Sequence, residues 1–350
     1  MAPIRLALYL VPIAILAAGQ KASAQSTEPK WDVQGYAGIA VTNDQVNGSG
    51  SLPTTGTILQ GMMSASTLYF GDGARLFNQN QSVVLGGQTG STIVPLDPIL
   101  VSSAIRRERG ASFGLRLERR LNRRLAIEMA GDCSVDHLAF TPVALTGLEA
   151  TRGSFTTALE HALAISPVTA AVTSIATVND HQTAVQLFTT GTLVVTLKDT
   201  GRMIPYVAGG GGVVFNGGNT PSATLVGNYQ LGSPAQLLGT DTVALRYAEN
   251  ARAEVISAGA GFQYLMTPKW GIRIDGRTHF YKNSTANLVD VTPKLAAEST
   301  GQPFPLVNSG SLQFFTTAPL NGAPVVGATT FNGSGVQAHL VLSVGFFRRF

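Results

Sequence analysis

Three observations predict an all-β chain, an eight-stranded antiparallel transmembrane up-and-down β-barrel with long extracellular loops. Apolar and polar residues alternate with period two in eight separate stretches, each about as long as a tilted membrane crossing requires. Long and short connections alternate between those stretches. Charged residues make up 13% of the chain, about half the fraction usual in a soluble domain, while 44% is apolar. Beyond residue 20 no apolar run approaches the roughly 18 to 20 residues of a spanning helix, so any crossing has to be made by strands.

The N-terminus is expected to be an export signal. One positive charge in MAPIR is followed by the apolar LALYLVPIAILAAG, and Ala22-Ser23-Ala24 supplies a small-x-small cleavage site before Gln25. The domain division is therefore a signal peptide over 1–24 and a barrel domain over 25–350. Lys plus Arg number 24 against 20 Asp plus Glu, and two of the 24, Arg5 and Lys21, lie in the leader. The chain from Gln25 onward is close to neutral, which argues against a nucleic-acid partner. Cys133 is the single cysteine, so no intramolecular disulfide and no cysteine-based zinc site is available.

The first strand is expected over 31–41, where Trp31, Val33, Ala37, Ile39 and Val41 share a face. In the second, 111–122, Phe113, Leu115 and Leu117 alternate with Arg116, Glu118 and Arg120. Three residues on, 125–136 places Leu125, Ile127, Met129, Cys133 and Val135 opposite Glu128, Asp132, Ser134 and Asp136. The strands over 186–197 and 203–215 are joined by the short polar turn Lys198 to Arg202. Those over 253–266 and 270–282 are joined by Thr267-Pro268-Lys269, and the last runs from 335 to 350. The long connections, 43–110, 141–185, 216–252 and 283–334, hold more than half of residues 25–350. Both chain ends then fall beside the short turns, the layout of an outer-membrane barrel with periplasmic ends. Hydrocarbon enforces closure, because an unpaired backbone N–H or C=O there costs several kcal/mol.

By the same alternation Arg116, Glu118, Glu128, Asp132, Asp136, Arg273, Asp275, Arg277 and His279 face away from the apolar side and into the lumen. A charge on the lipid face would cost about 2 to 4 kcal/mol at midplane. An eight-stranded interior is just wide enough for side chains to fill, so these residues are expected to pair as a luminal charge network that plugs the core. The alternative is a narrow ion path lined by the same charges.

Catalytic, metal and phosphate chemistry find little support. The histidines are His137, His161, His181, His279 and His339. Asp136-His137 and Asp180-His181 form adjacent acid and base pairs, yet neighbours in a strand point to opposite faces. The histidines lack metal-ligand spacing. Ala208 to Gly212 is glycine-rich but lacks the Lys-Ser/Thr of a phosphate loop; glycine there allows curvature or room for bulky luminal side chains. No cofactor is expected. In the second long connection, Ser154 to Ile165 predicts an amphipathic helix with Ser154 as its N-cap and Phe155, Leu159, Ala162 and Leu163 on one face. The other connections, such as 85–100 and 220–238, have the Gly, Ser, Thr, Asn and Pro content of surface loops.

The chain ends on SVGFFRRF. Ser343, Gly345, Phe346 and the terminal Phe350, with Val336, Ala338, Leu340, Leu342 and Val344 at every second position, resemble the C-terminal signal of Gram-negative outer-membrane proteins. That resemblance implies insertion by the barrel-assembly machinery. Arg348 departs from it, standing where an aromatic or apolar residue is usual. With its eight strands and Pro205-Tyr206, the whole resembles the small eight-stranded outer-membrane barrel family that includes the barrel half of OmpA-type proteins, in its long-loop, uncharacterised form. The resemblance extends over the barrel alone, and no peptidoglycan-binding domain is expected after Phe350. The expected function is non-enzymatic, structural or interacting through the loops, in contact with outer-membrane lipid. A low-conductance porin-like channel is the alternative, and a lipid-modifying or proteolytic barrel enzyme stands behind both.

Overall fold

The structure is a computed structural model and describes residues 30–43, 57–58, 62–64, 92–96, 104–163, 170–198, 200–231, 237–298, 307–308, 311–315, 320–321 and 327–350. The expected signal peptide lies outside these residues. One antiparallel sheet contains twelve strands. They are β1 (Trp31–Thr42), β2 (Ile105–Arg107), β3 (Gly110–Arg120), β4 (Leu125–Phe140), β5 (Ala170–Asn179), β6 (Gln182–Thr196), β7 (Met203–Gly218), β8 (Ser222–Leu231), β9 (Leu237–Glu249), β10 (Arg252–Leu265), β11 (Trp270–Glu298) and β12 (Gly327–Arg349). A helix, α1 (Pro142–Leu163), lies between β4 and β5.

Eight of these strands close a ring in the order β1-β3-β4-β6-β7-β10-β11-β12, and β12 pairs back onto β1. They are the eight stretches in which the sequence alternates. Closure leaves none of the ring strands with an unpaired edge along its length. At the seam, Lys30 N–H donates to the Phe350 carbonyl at 2.9 Å and Phe350 N–H to the Trp31 carbonyl at 2.8 Å.

Turn chemistry explains the tight end of the ring. Between β3 and β4, Asn122 Oδ1 accepts from the N–H of Arg124 and of Leu125, both at 2.8 Å, reversing the chain with its own side chain. Between β10 and β11 the Thr267 hydroxyl accepts from Trp270 N–H at 3.0 Å. Between β6 and β7, Gly201 adopts φ 98°, open to glycine at little steric cost.

At the other end the sheet leaves the ring. β11 continues to Glu298 and pairs with β9, β9 with β8, and β8 with β5, while β12 rises beside β11 from Gly327. β2 caps the end of β4. The segments 141–185, 216–252 and 283–334, expected as surface loops, thus contain regular sheet over much of their described length. Helix α1 also begins twelve residues earlier than expected. Thr141 caps it, its hydroxyl accepting from Ala144 N–H at 3.2 Å, with Pro142 in the first turn. Ser154, expected as the N-cap, lies inside the helix, where its hydroxyl donates to the Thr151 carbonyl and accepts from Val94 N–H. Phe155 is buried; the side chains of Leu159, Ala162 and Leu163 lie outside what is described. Arg152 ties α1 to β5 by donating to the Ser174 carbonyl at 3.1 Å.

Candidate functional site: the interior of the ring

Strand alternation sorts the ring into two faces of opposite character. On the outer face, from Arg119 and Arg348 at the short-turn end to His137, Glu254 and Lys282 at the other, ring positions carry no charged residue. They are filled instead by residues such as Leu115, Met129, Ile256, Leu342 and Phe346, between 48% and 69% exposed. Along β11 this stretch runs from Trp270 to Phe280, which at about 3.3 Å per residue and a tilt near 40° rises roughly 25 Å. The inner face is the reverse: all nine residues expected in the lumen are buried there.

Three arginines and three carboxylates form the centre. Arg273, Asp275 and Arg277 alternate along β11 and so share its inner face. Across the ring, Glu128 on β4 meets Arg273 Nη1 at 2.8 Å and accepts from Arg277 Nη1. Arg273 Nη1 also reaches Glu118 on β3, at 3.0 Å. Asp275 accepts from Arg116 Nη1 at 2.6 Å, from Tyr206 OH at 2.7 Å, from Arg277 Nε at 3.1 Å and, on its other oxygen, from Ser343 Oγ at 2.7 Å. Tyr206 OH in turn accepts from Arg273 Nε at 2.6 Å. The planar guanidinium of Arg116 lies 4.0 Å over the Tyr36 ring and that of Arg273 4.2 Å over Tyr206. With equal numbers of opposite charges in bonding distance, each ion finds the partner that burial demands.

Polar layers continue on both sides of this centre. Toward the short turns, Asp32 meets Arg120 at 2.9 Å and Arg349 at 3.4 Å, and Arg349 donates to Gln263. Toward the other end, Asp132 and His279 approach to 3.9 Å, longer than a hydrogen bond. Phe188 stacks against the rings of both His279 and His339, 4.7 Å from each, and those two rings lie 6.2 Å from one another. His339 bonds Thr42 Oγ1 through Nδ1 at 2.8 Å and Ser134 Oγ through Nε2 at 3.1 Å. Asp136 closes the column with Arg107 at 2.6 Å, and Arg107 with Glu249 at 2.7 Å.

Glycines make room for these large groups. A Cβ on Gly114 would stand 2.4 Å from Tyr36 OH, and one on Gly261 2.6 Å from Tyr206 OH. In the 208–212 run, Cβ atoms on Gly210 and Gly212 would strike the backbone of β6, so glycine there permits close strand approach.

The histidines do not assemble a catalytic set among the described residues. Asp136 faces inward and His137 outward. His181 lies in the turn before β6 at φ 52°, where it pairs with Glu108 at 3.2 Å and Asp180 at 3.7 Å. The Ser134–His339 pair is sealed inside the ring, with a threonine hydroxyl in place of an orienting acid. The His161 side chain lies outside the described residues.

Arg107, Glu249, Tyr206, Asp32 and Arg349 belong to the network and were not anticipated. Tyr206, Asp32 and Arg349 stand at inward parity on expected strands, so extending the alternation to every polar position finds them. Arg107 and Glu249 come from segments whose strand character is weak. Of the C-terminal residues, Ser343 and Gly345 face inward, Ser343 against Asp275 and Gly345 against Gln34, where a Cβ would come within 2.4 Å of Nε2. Phe346 and Phe350 face outward, 61% and 58% exposed.

No protein-family model and no curated protein matches the sequence. Among solved structures, the outer-membrane protein OprG of Pseudomonas aeruginosa is similar at 11% identity, over 92% of this chain and 97% of its own, with a TM-score of 0.38. AlkL, solved in lipid bilayers, is similar at 8% identity over 95% and 96%, with a TM-score of 0.37. The Escherichia coli outer-membrane protease OmpT is similar at 8% over 94% and 99%, with a TM-score of 0.26. Likeness this remote leaves the function of the chain to its own residues.

Proposed function

We propose that the chain is a non-enzymatic outer-membrane β-barrel whose eight ring strands cross the bilayer, with the short turns and the β1–β12 seam in the periplasm. The observation that carries this reading is the inversion of polarity across the ring wall. Charges are buried inside, and those of the centre are paired, while an uncharged apolar belt roughly 25 Å tall faces outward, the height of a bilayer core. In water such a belt would be an apolar patch well beyond what monomers expose. The segments above the ring, including α1 and the sheet extension, then face the exterior as an interaction surface. By resemblance, Phe346 and Phe350 belong to the signal read by the barrel-assembly machinery, and outer-membrane lipid is the solvent of the belt. Heat-modifiable gel migration of the refolded protein tests the barrel; a fraction that stays soluble without detergent and migrates identically with and without boiling contradicts it.

A second reading, a low-conductance channel, draws on the polar groups that continue from Asp32 to Glu249 past the buried cluster of Phe188, Val214, Val255 and Tyr281. Planar-bilayer recording separates the two. The packed reading expects no discrete steps; steps that vanish in R273A/R277A would establish the channel.

A further inference from the structure

Both tryptophans of the chain, Trp31 and Trp270, stand at the short-turn rim of the ring, and a guanidinium lies over each. Arg119 is 5.4 Å from the Trp31 ring and Arg348 is 5.3 Å from that of Trp270 and 4.7 Å from that of Phe350. Indole rings settle at the depth of lipid headgroups, so these contacts carry both cations to the level of the lipid phosphates. Around the same rim the three turns add Arg124, Arg202 and Lys269, and Lys30 precedes β1; all are exposed. The acids of this end among the described residues, Asp32 and Glu118, turn inward to Arg120, Arg349 and Arg273. Asp199 lies outside the described residues, and the terminal carboxylate of Phe350 is a single counter-charge. At the opposite end the signs are mixed, Arg106 beside Glu108 and Arg152 beside Glu149.

We propose that this rim selects anionic phospholipid headgroups in the leaflet that faces the short turns, with Arg119 and Arg348 as the principal phosphate contacts. The inference rests on the membrane-spanning reading and adds a lipid preference to it. A guanidinium offers a planar fork of donors that matches phosphate oxygens. A zwitterionic headgroup brings its own ammonium to the same phosphate, whereas an anionic one leaves the charge of the rim to act. Each basic side chain near an anionic surface contributes enough to change occupancy several-fold.

The position of the tryptophans supplies the probe. The full chain is refolded into phosphatidylcholine bilayers in which either the phosphatidylcholine or an added phosphatidylglycerol carries brominated acyl chains, and quenching of tryptophan emission is compared. The expected result at low salt is a preference for phosphatidylglycerol of about fivefold. It should fall to near unity in about 1 M salt, where the Debye length is ~3 Å, and in R119Q/R348Q. Equal quenching by the two lipids in the unmodified protein overturns the proposal, as does a preference that survives both salt and the double substitution. If neither brominated lipid quenches, the tryptophans are not in the bilayer and the membrane-spanning reading itself fails. Quenching of the variant by brominated phosphatidylcholine shows that it is still inserted.

Discussion

Arg277 reaches across the ring from β11 to donate to Glu128 on β4, and Arg273, two inward positions lower on the same strand, meets the other oxygen of that carboxylate. One acid therefore staples two cations, and each of those cations holds a second acid, Asp275 or Glu118. Glu128→Gln should leave two buried guanidinium groups short of charge and destabilise the protein by about 3 to 5 kcal/mol, read from denaturant unfolding in lipid. The double variant E128L/R277M, which removes both ends of one pair, should lose less than the sum of its single substitutions.

The outer belt makes the opposite demand. Leu342→Arg places a charge at an outward position on β12 and should cost about 2 to 4 kcal/mol in bilayers. The same substitution at Val33, two residues from the rim, should cost markedly less. Parallel unfolding titrations of the two variants check the depth dependence.

Glycine positions give a contrast that depends on which face they occupy. Gly114→Val should destabilise by about 2 kcal/mol or more, because a Cβ there meets Tyr36 OH at 2.4 Å and the Gly131 carbonyl at 2.3 Å. Gly191 is exposed and a Cβ would have nothing within 4 Å. Gly191→Ala should be neutral or slightly stabilising, since alanine loses less backbone freedom on folding. Midpoints of denaturant unfolding compare them directly.

Arg348 occupies a place where the C-terminal signal usually has an aromatic residue. Arg348→Tyr should leave the heat-modifiable fraction in outer-membrane preparations unchanged or raised, while Phe350→Ala should lower it. A clear loss of insertion in the tyrosine variant would contradict the placement of residue 348 at the rim, over Trp270.

How much of this was legible in the sequence differs between the two ends of the ring. The ring strands announce themselves because each must be apolar on one side and polar on the other, so Leu115 and Arg116, or Ile274 and Asp275, fix both the strand and its inner face. The turns were legible for an equally local reason: Asn122, Gly201 and Thr267 carry the chemistry of reversal. Above the ring that rule lapses. β5, with Ala170–Asn179 rich in Ala, Ser and Thr, lies outside the ring, where nothing sets one face apolar and the other polar, and its composition is that of a surface loop. Helix α1 was shortened for a related reason, since Gly147 and Gly153 interrupt the helical pattern of 142–163 and hide the stronger Thr141-Pro142 start. Within the network, Arg107 and Glu249 were missed because their strands were; the central arginines and acids needed only parity.

The seam between β1 and β12 has a consequence for how the molecule is made. It pairs Asp32 with Arg349 and Thr42 with His339, positions 297 residues apart in the latter case. Ribosomal synthesis releases β1 first and β12 last, so the opening strand must wait for nearly the whole polypeptide before its second neighbour exists. Until then any partly paired assembly carries two raw edges, each a template for the wrong strand. Contacts this remote in sequence are slow to form. The ring can therefore close only after β12 has been made, whatever neighbouring strands pair before it.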